Sequence, residues 1–149
     1  MKSRQFLPPT YVLIALVVML VLHFIFPAIK LISLPLSLLG LFPLIIGVAL
    51  NLVADSAFRR AGTTVKPFQE TATLLTDGVY SLSRHPMYLG FTLILIGAAI
   101  LLGSLTPWVI IPVFVFLMEV VFIRAEERML GEKFGPAWLA YKKKVRRWI

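Results

Sequence analysis

The sequence predicts an all-α, polytopic membrane protein with about four transmembrane helices. The last two form a tight helical hairpin, and a short C-terminal helix follows on the cytoplasmic side. Three observations predict this. Apolar residues make up 59% of the 149 residues and charged residues only 15%, where an ordinary soluble domain carries about a quarter. The apolar residues gather into separate runs of the length needed to cross a hydrocarbon core about 30 Å thick. If all of these runs span, fourteen of the 15 Lys and Arg residues fall on one face and Lys30 alone falls on the other. Such an excess marks the cytoplasmic face, so both termini and the central loop from Asp55 to Ser83 are expected there.

Composition also bounds the chemistry. With no cysteine, disulfides, thiolate nucleophiles and cysteine-ligated zinc or iron–sulfur centres are excluded. His23 and His85 alone cannot build a multi-histidine metal site, and no metal is expected. The net charge of +8 would suit nucleic acid, but its placement is accounted for by membrane orientation, and no nucleic-acid partner is expected. The chain is too short for four spans and a separate soluble catalytic domain, so its chemistry belongs at the helix ends.

The first helix is expected at about residues 10–27. Lys2 and Arg4 resemble the basic start of a secretory signal, yet the apolar run is longer than a signal core and no A-x-A-like site follows it, so a retained helix is predicted. His23, near its far end, is expected to be a packing or interfacial histidine satisfied by a neighbour. Pro27 to Pro35 turns the chain, with Lys30 reaching the far interface. The second helix is expected at about residues 35–58, with a kink at Pro43, whose ring removes a backbone bond. Asn51 and Asp55 lie one turn apart, and Asp55 is spaced i,i+4 from Arg59. Helix glue is the expected role of these polar groups, and a wall of a site is the alternative.

Residues 61–83 form the longest polar stretch, with turn signals at Gly62-Thr63-Thr64 and Asp77-Gly78. Val65-Lys66-Pro67-Phe68 and Leu74-Leu75 could close over a pocket, so a lid or re-entrant loop is expected, with a plain connector as the alternative. The third and fourth helices are expected at about 86–103 and 106–133. Between them Gly103 stops one helix, Thr106 is a capping residue and Pro107 sits where a missing N–H costs nothing. A link this short makes the two helices antiparallel neighbours. Residues 135–149 turn at Gly135-Pro136 and carry Lys142-Lys143-Lys144, Arg146 and Arg147 with Trp138, Tyr141 and Trp148. That composition predicts an interfacial segment on anionic lipid, with the aromatic rings as anchors.

The hairpin places the start of the third helix level with the end of the fourth. Arg84-His85-Pro86-Met87-Tyr88-Leu89-Gly90 should therefore face Glu126-Glu127. His85 precedes proline and is biased to extended backbone, and Pro86 can open a helix whose first N–H groups suit anionic oxygens. Glu126 and Glu127 can accept from an ammonium or a diol, and the competing reading is an interfacial charge cluster with Arg84, Arg124 or Arg128. Glu119 lies in the apolar part of the fourth helix, two turns before Glu126 and nearly on its face. A carboxylate there is a functional candidate, with a hydrogen bond to Asn51 as the alternative.

The run GTTVKPFQETATLLTDGVYSLSRHPMYLG followed by EERMLGEKFGPAWLAYKKKVRRWI resembles the isoprenylcysteine carboxyl methyltransferase family of integral membrane enzymes, with phospholipid methyltransferases as more distant relatives. The resemblance covers about Gly62 to Ile149, and Trp138 stands where the family usually has Tyr. It implies S-adenosyl-L-methionine as cofactor, with His85, Pro86, Tyr88, Gly90, Glu126 and Glu127 as cofactor-binding positions. Tyr88 would pack a ring and Gly90 would allow close approach. Arg84 and Glu119 are the candidate catalytic residues, Arg84 by positioning an acceptor carboxylate or phosphate. The expected acceptor is a lipid-like or small amphiphile at the cytoplasmic interface. Competing readings are methylation of a phospholipid amine or small thiol, a non-catalytic scaffold or lipid-binding protein, and an NADPH-dependent membrane reductase.

Overall fold

A computed structural model of the chain describes residues 7–62 and 72–149. Helix α1 runs Pro8–Ile25, α2 Leu41–Arg60, α3 Pro86–Leu102, α4 Ile110–Met118, α5 Arg124–Phe134 and α6 Pro136–Lys144. A 3₁₀ turn at Leu36–Gly40 leads into α2, another at Thr106–Val109 leads into α4, and a π turn at Glu119–Ile123 joins α4 to α5. Among the described residues there is no strand beyond an isolated bridge between Lys30 and Ser104. Three helical stretches, Pro8–Ile25, Leu36–Arg60 and Thr106–Phe134, are long and apolar enough to cross a membrane. At 17 residues, α3 is shorter, about 25 Å at 1.5 Å per residue, the low end of what a span requires.

The shortest of these four apolar stretches is the central one. α3 packs against α1, α2 and α4, and its Leu95 and Ala99 are fully buried. Its closest neighbour is α2, and glycines make that approach possible. Gly40 faces Gly97 and Gly47 faces Gly90, so the two helices run antiparallel with one small pair at each level. Where lipid tails are as apolar as leucine, small residues gain packing by letting backbones meet. The outward faces of α1 and α2 carry exposed Leu13, Val17, Phe24, Phe42, Ile45 and Leu52, the surface a lipid environment would cover.

The two ends of the bundle differ. At one end the α1–α2 connection is stitched to the α3–α4 link: Leu31 and Ile32 N–H donate to the Gly103 carbonyl, and Leu105 N–H donates to Ile29. His23 Nδ1 lies 2.7 Å from Ser104 Oγ, so that histidine is satisfied by a neighbour, as expected. Gly103 ends α3 with φ +72°, the left-handed conformation the sequence requires there. Thr106 does not cap its own helix; its hydroxyl donates to the Leu22 carbonyl of α1 at 3.4 Å. Pro43 falls in the first turn of α2, just after the 3₁₀ turn that leads into it.

At the other end the chain departs further from expectation. Of the anticipated lid, Val65 to Phe68 lie outside the described residues, whereas Leu74 packs on a small cluster of Trp138, Tyr141 and Val145. Trp138 and Tyr141 are therefore buried rather than anchored in lipid, and Trp148 packs against the main core. Gly135 breaks the helix with φ +46° and turns α6 back onto α5. The rings expected to face the membrane instead attach this segment to the protein.

Candidate active site

His85 ends an extended approach to α3, with φ −129° and ψ 61°, and Pro86 opens the helix. The N–H of His85 donates to Ser83 Oγ at 3.1 Å, and Ser83 Oγ donates onward to the Arg147 carbonyl at 3.1 Å. The backbone N–H of Arg84 donates to the Arg146 carbonyl at 3.0 Å. The stretch before α3 is thus bonded directly to the segment after α6. Pro86 is fully buried, so it shapes the backbone and presents no surface to a ligand.

The predicted meeting of the two motifs is observed. His85 Nε2 lies 3.3 Å from Glu127 Oε1 and Nδ1 lies 3.5 Å from Glu126 Oε2. Arg84 Nη2 lies 3.3 Å from Glu127 Oε1. Tyr88 donates its hydroxyl to Glu126 Oε1 at 2.6 Å, and its ring stacks near Phe122. Burial alone would lower the His85 pKa, but hydrogen bonds to Glu126 and then Glu127 outweigh it and raise the value. An imidazolium that donates to a carboxylate from each nitrogen is the form this arrangement favours.

The carboxylates are not equivalent. Glu127 is buried and shared among His85, Arg84 and Arg147, while Glu126 retains 21% of its side-chain exposure. Arg147 is the site residue that the sequence reading assigned elsewhere, to lipid. Its Nε and Nη2 donate to Glu127 at 3.1 and 2.7 Å, and its Nη1 donates to Glu119 at 2.9 Å. The hydrogen bonds to Glu127 raise its pKa further above the ordinary arginine value. Arg147 lies within the run that carries the family resemblance, but the adjoining lysines gave the segment the composition of a lipid-binding stretch.

Glu119 also differs from expectation. Its partners are Arg147 and, at 3.6 Å, Arg124, while the Asn51 amide donates to the Gly47 carbonyl. It lines up with Glu127 rather than Glu126, and the π turn is the reason. In an unbroken α-helix eight residues would leave Glu127 about 80° round from Glu119. A turn with i→i+5 bonding absorbs one extra residue, so the offset falls to that of seven α-residues, within about 20°.

Gly90 is a contact between helices: a Cβ there would collide with the Asn51 side chain and lie 2.8 Å from the Gly47 carbonyl. Its close approach is to α2. Arg84 rests its guanidinium over the Trp138 ring at 5.5 Å, which ties the site to α6 through a cation–π contact. Tyr141 donates to the Tyr80 carbonyl at 2.6 Å, and burial pushes its phenol up to about 12. Among the described residues, the Tyr80 hydroxyl, Asn51 Oδ1 and the Nε and Nη1 of Arg84 are buried without a hydrogen-bond partner. Unmade bonds of this kind are costly and call for an explanation.

A glycine-packed helical bundle with a cage of carboxylates, imidazole and guanidinium at one end defines a class of multi-pass helical membrane proteins. The phospholipid methyltransferase family model matches residues 36–137, and the chain belongs to that family. It is 37% identical over 136 residues to the protein-S-isoprenylcysteine O-methyltransferase of Saccharomyces cerevisiae, covering 85% of this chain and 56% of the relative. It is 32% identical over 108 residues to protein-S-isoprenylcysteine O-methyltransferase A of Arabidopsis thaliana, covering 71% and 55%. A solved eukaryotic intramembrane Ras methyltransferase, an isoprenylcysteine carboxyl methyltransferase, superposes with a TM-score of 0.62 at 30% identity, covering 100% of this chain and 53% of that one. The chain spans about half the length of these relatives.

Proposed function

We propose that the protein transfers a methyl group from S-adenosyl-L-methionine to a lipid-like or small amphiphilic acceptor at the cytoplasmic membrane interface, a prenylated cysteine carboxylate being the acceptor its relatives' names suggest. The observation that carries the reading is the pairing of His85 with Glu126 and Glu127 at one end of a bundle that belongs to this family.

The residues present fit the cofactor. Glu126, the more open carboxylate, suits an ammonium or a ribose diol, and the unpartnered Tyr80 hydroxyl and Asn51 Oδ1 are ready to bond a polar ligand. Arg84 has unpartnered donors that suit a carboxylate, either the cofactor's or the acceptor's. Glu127 is saturated by its own neighbours and acts as the internal counter-ion that holds His85 and Arg84 in place. When bound, the cofactor supplies a methyl group already activated by its sulfonium. What the protein must add is alignment and exclusion of water; the packed rings of Tyr88 and Phe122 help to keep this end of the bundle dry.

The charge distribution supports cytoplasmic placement of both termini and of the site. It is consistent with the stitching of residues 29–32 to Gly103 at the opposite end. Lys142, Lys143 and Lys144 remain exposed and suit anionic headgroups, without help from the buried aromatic residues. The test is incubation of the protein in lipid with labelled S-adenosylmethionine and a panel of prenylated, phospholipid and thiol amphiphiles. Label should pass to one acceptor class, and S-adenosylhomocysteine should bind where NADPH does not. Binding of NADPH in its place would support the reductase reading, and binding of neither would favour a scaffold.

A further inference from the structure

The roles given above leave Arg147 without one, although three hydrogen bonds tie its side chain into the site. A guanidinium presents its donors in a rigid planar fork. Here one edge is filled by both oxygens of Glu127 and the remaining nitrogen by Glu119, two carboxylates of one continuous helix eight residues apart. That geometry requires the two carboxylates to be in line, and the π turn at Glu119–Ile123 puts them there. The backbone that carries Arg147 is fixed as well. Its carbonyl accepts from Ser83, the carbonyl of Arg146 accepts from Arg84, and Trp148 packs into the core.

An exposed ion pair of this kind would contribute little. This one differs because the Glu127 side chain is only 9% exposed and is the same carboxylate that holds His85. Without a cation, Glu119, Glu126 and Glu127 would place three like charges on neighbouring faces of one helix, an arrangement that repels. We propose that Arg147 is a positioning residue of the active site: it holds Glu119 and Glu127 in line and fixes Glu127 against His85, which leaves Glu126 as the carboxylate open to ligand. The proposal deepens the methyltransferase reading and rests on it for the identity of that ligand.

The test uses the full chain in lipid nanodiscs with Arg147→Gln, Arg147→Lys and Glu119→Gln, and has two readouts. One is S-adenosylhomocysteine affinity by calorimetry. The other is the titration midpoint of the His85 ring by NMR, which needs no ligand. His85 faces Glu126 at one nitrogen and Glu127 at the other, with the Tyr88 ring beside it and Arg84 and Arg147 also bonded to Glu127. Without Arg147 the Glu127 carboxylate is no longer held against the imidazolium, and Arg147→Lys keeps the charge while losing that two-point hold. Arg147→Lys should therefore lower the midpoint, Arg147→Gln should move it and weaken affinity at least tenfold, and Glu119→Gln should weaken affinity less.

Unchanged affinity and midpoint in Arg147→Gln would overturn the proposal, since the residue would then merely pack. Lost affinity with an unmoved midpoint would overturn it too, because Arg147 would be acting on the ligand and not through Glu127. If the wild-type protein binds no S-adenosylhomocysteine, the cofactor reading fails while the midpoint still decides the positioning role. Should the glutamine variant not fold, the lysine variant decides alone: it keeps the charge but loses the two-point grip, and wild-type behaviour in both readouts sinks the idea.

Discussion

His85 Nε2 stands 3.3 Å from Glu127 Oε1, a contact between residues 42 positions apart that exists only because the α3–α4 hairpin returns the chain to its starting level. If both groups serve one cofactor, His85→Ala and Glu127→Gln should each weaken S-adenosylhomocysteine binding, and their effects should not add. Groups in one network couple by about 0.5–3 kcal/mol, whereas distant sites add within a few tenths. A double-mutant cycle by calorimetry in detergent measures the coupling. Strict additivity would identify an interfacial charge cluster in place of a site.

The same contact sets a pH dependence. The folded His85 pKa is raised above its ordinary value of about 6.5 by Glu126 and Glu127, against the lowering effect of burial. For a group raised on folding, the added stability is fully present below the unfolded pKa and is lost as pH rises through the folded one. The thermal midpoint of the wild-type protein should therefore fall as pH is raised above about 6.5. His85→Gln should lower the midpoint at acidic pH and flatten the slope. A slope that persists in the variant would assign the dependence to another group.

Topology is tested independently of chemistry. Reporter fusions after Ile149 and within residues 29–31 should report opposite sides of the membrane, because the charges sort to one face and the α1–α2 connection lies with Gly103 at the far end of the bundle. Reporters on the same side would refute the arrangement of four spans.

Much of this architecture was legible because hydropathy and punctuation are local signals. Gly103, Pro86, Pro107 and Gly135 each mark a helix boundary that the structure keeps. The facing of His85 and Glu127 followed from the short link that makes the third and fourth helices antiparallel neighbours. What was not legible depends on register and on partners distant in the chain. The π turn has no composition of its own, so Glu119 was aligned with Glu126 by assuming 3.6 residues per turn throughout. Trp138, Tyr141 and Arg147 have the composition of a membrane-surface segment, and only the fold reveals that Leu74 and Glu127 occupy them. Gly90 looked like part of the ligand motif because it sits within it, while the residue it accommodates, Asn51, lies on another helix.

Two glycine-to-alanine substitutions should have opposite signs, and the contrast tests how α2 and α3 are held together. At Gly97 a Cβ would lie 2.6 Å from the Gly40 carbonyl and 2.8 Å from the Leu44 backbone nitrogen. Neither neighbour is a side chain that can swing away, so the helices must separate; overpacking of this kind costs about 1–3 kcal/mol. At Gly131, in the body of α5, a Cβ would meet only the Trp138 ring at 3.4 and 3.6 Å, which is ordinary contact. There alanine removes the entropic penalty of glycine in a helix, worth about 0.5–1 kcal/mol. Thermal unfolding in one detergent should show Gly97→Ala below the wild-type midpoint and Gly131→Ala at or above it. Gly97 lies twelve residues along α3 from His85, about 18 Å, so folded Gly97→Ala protein should keep nearly its full S-adenosylhomocysteine affinity. A Gly97→Ala variant as stable as wild type would mean that α2 and α3 do not meet through these glycines.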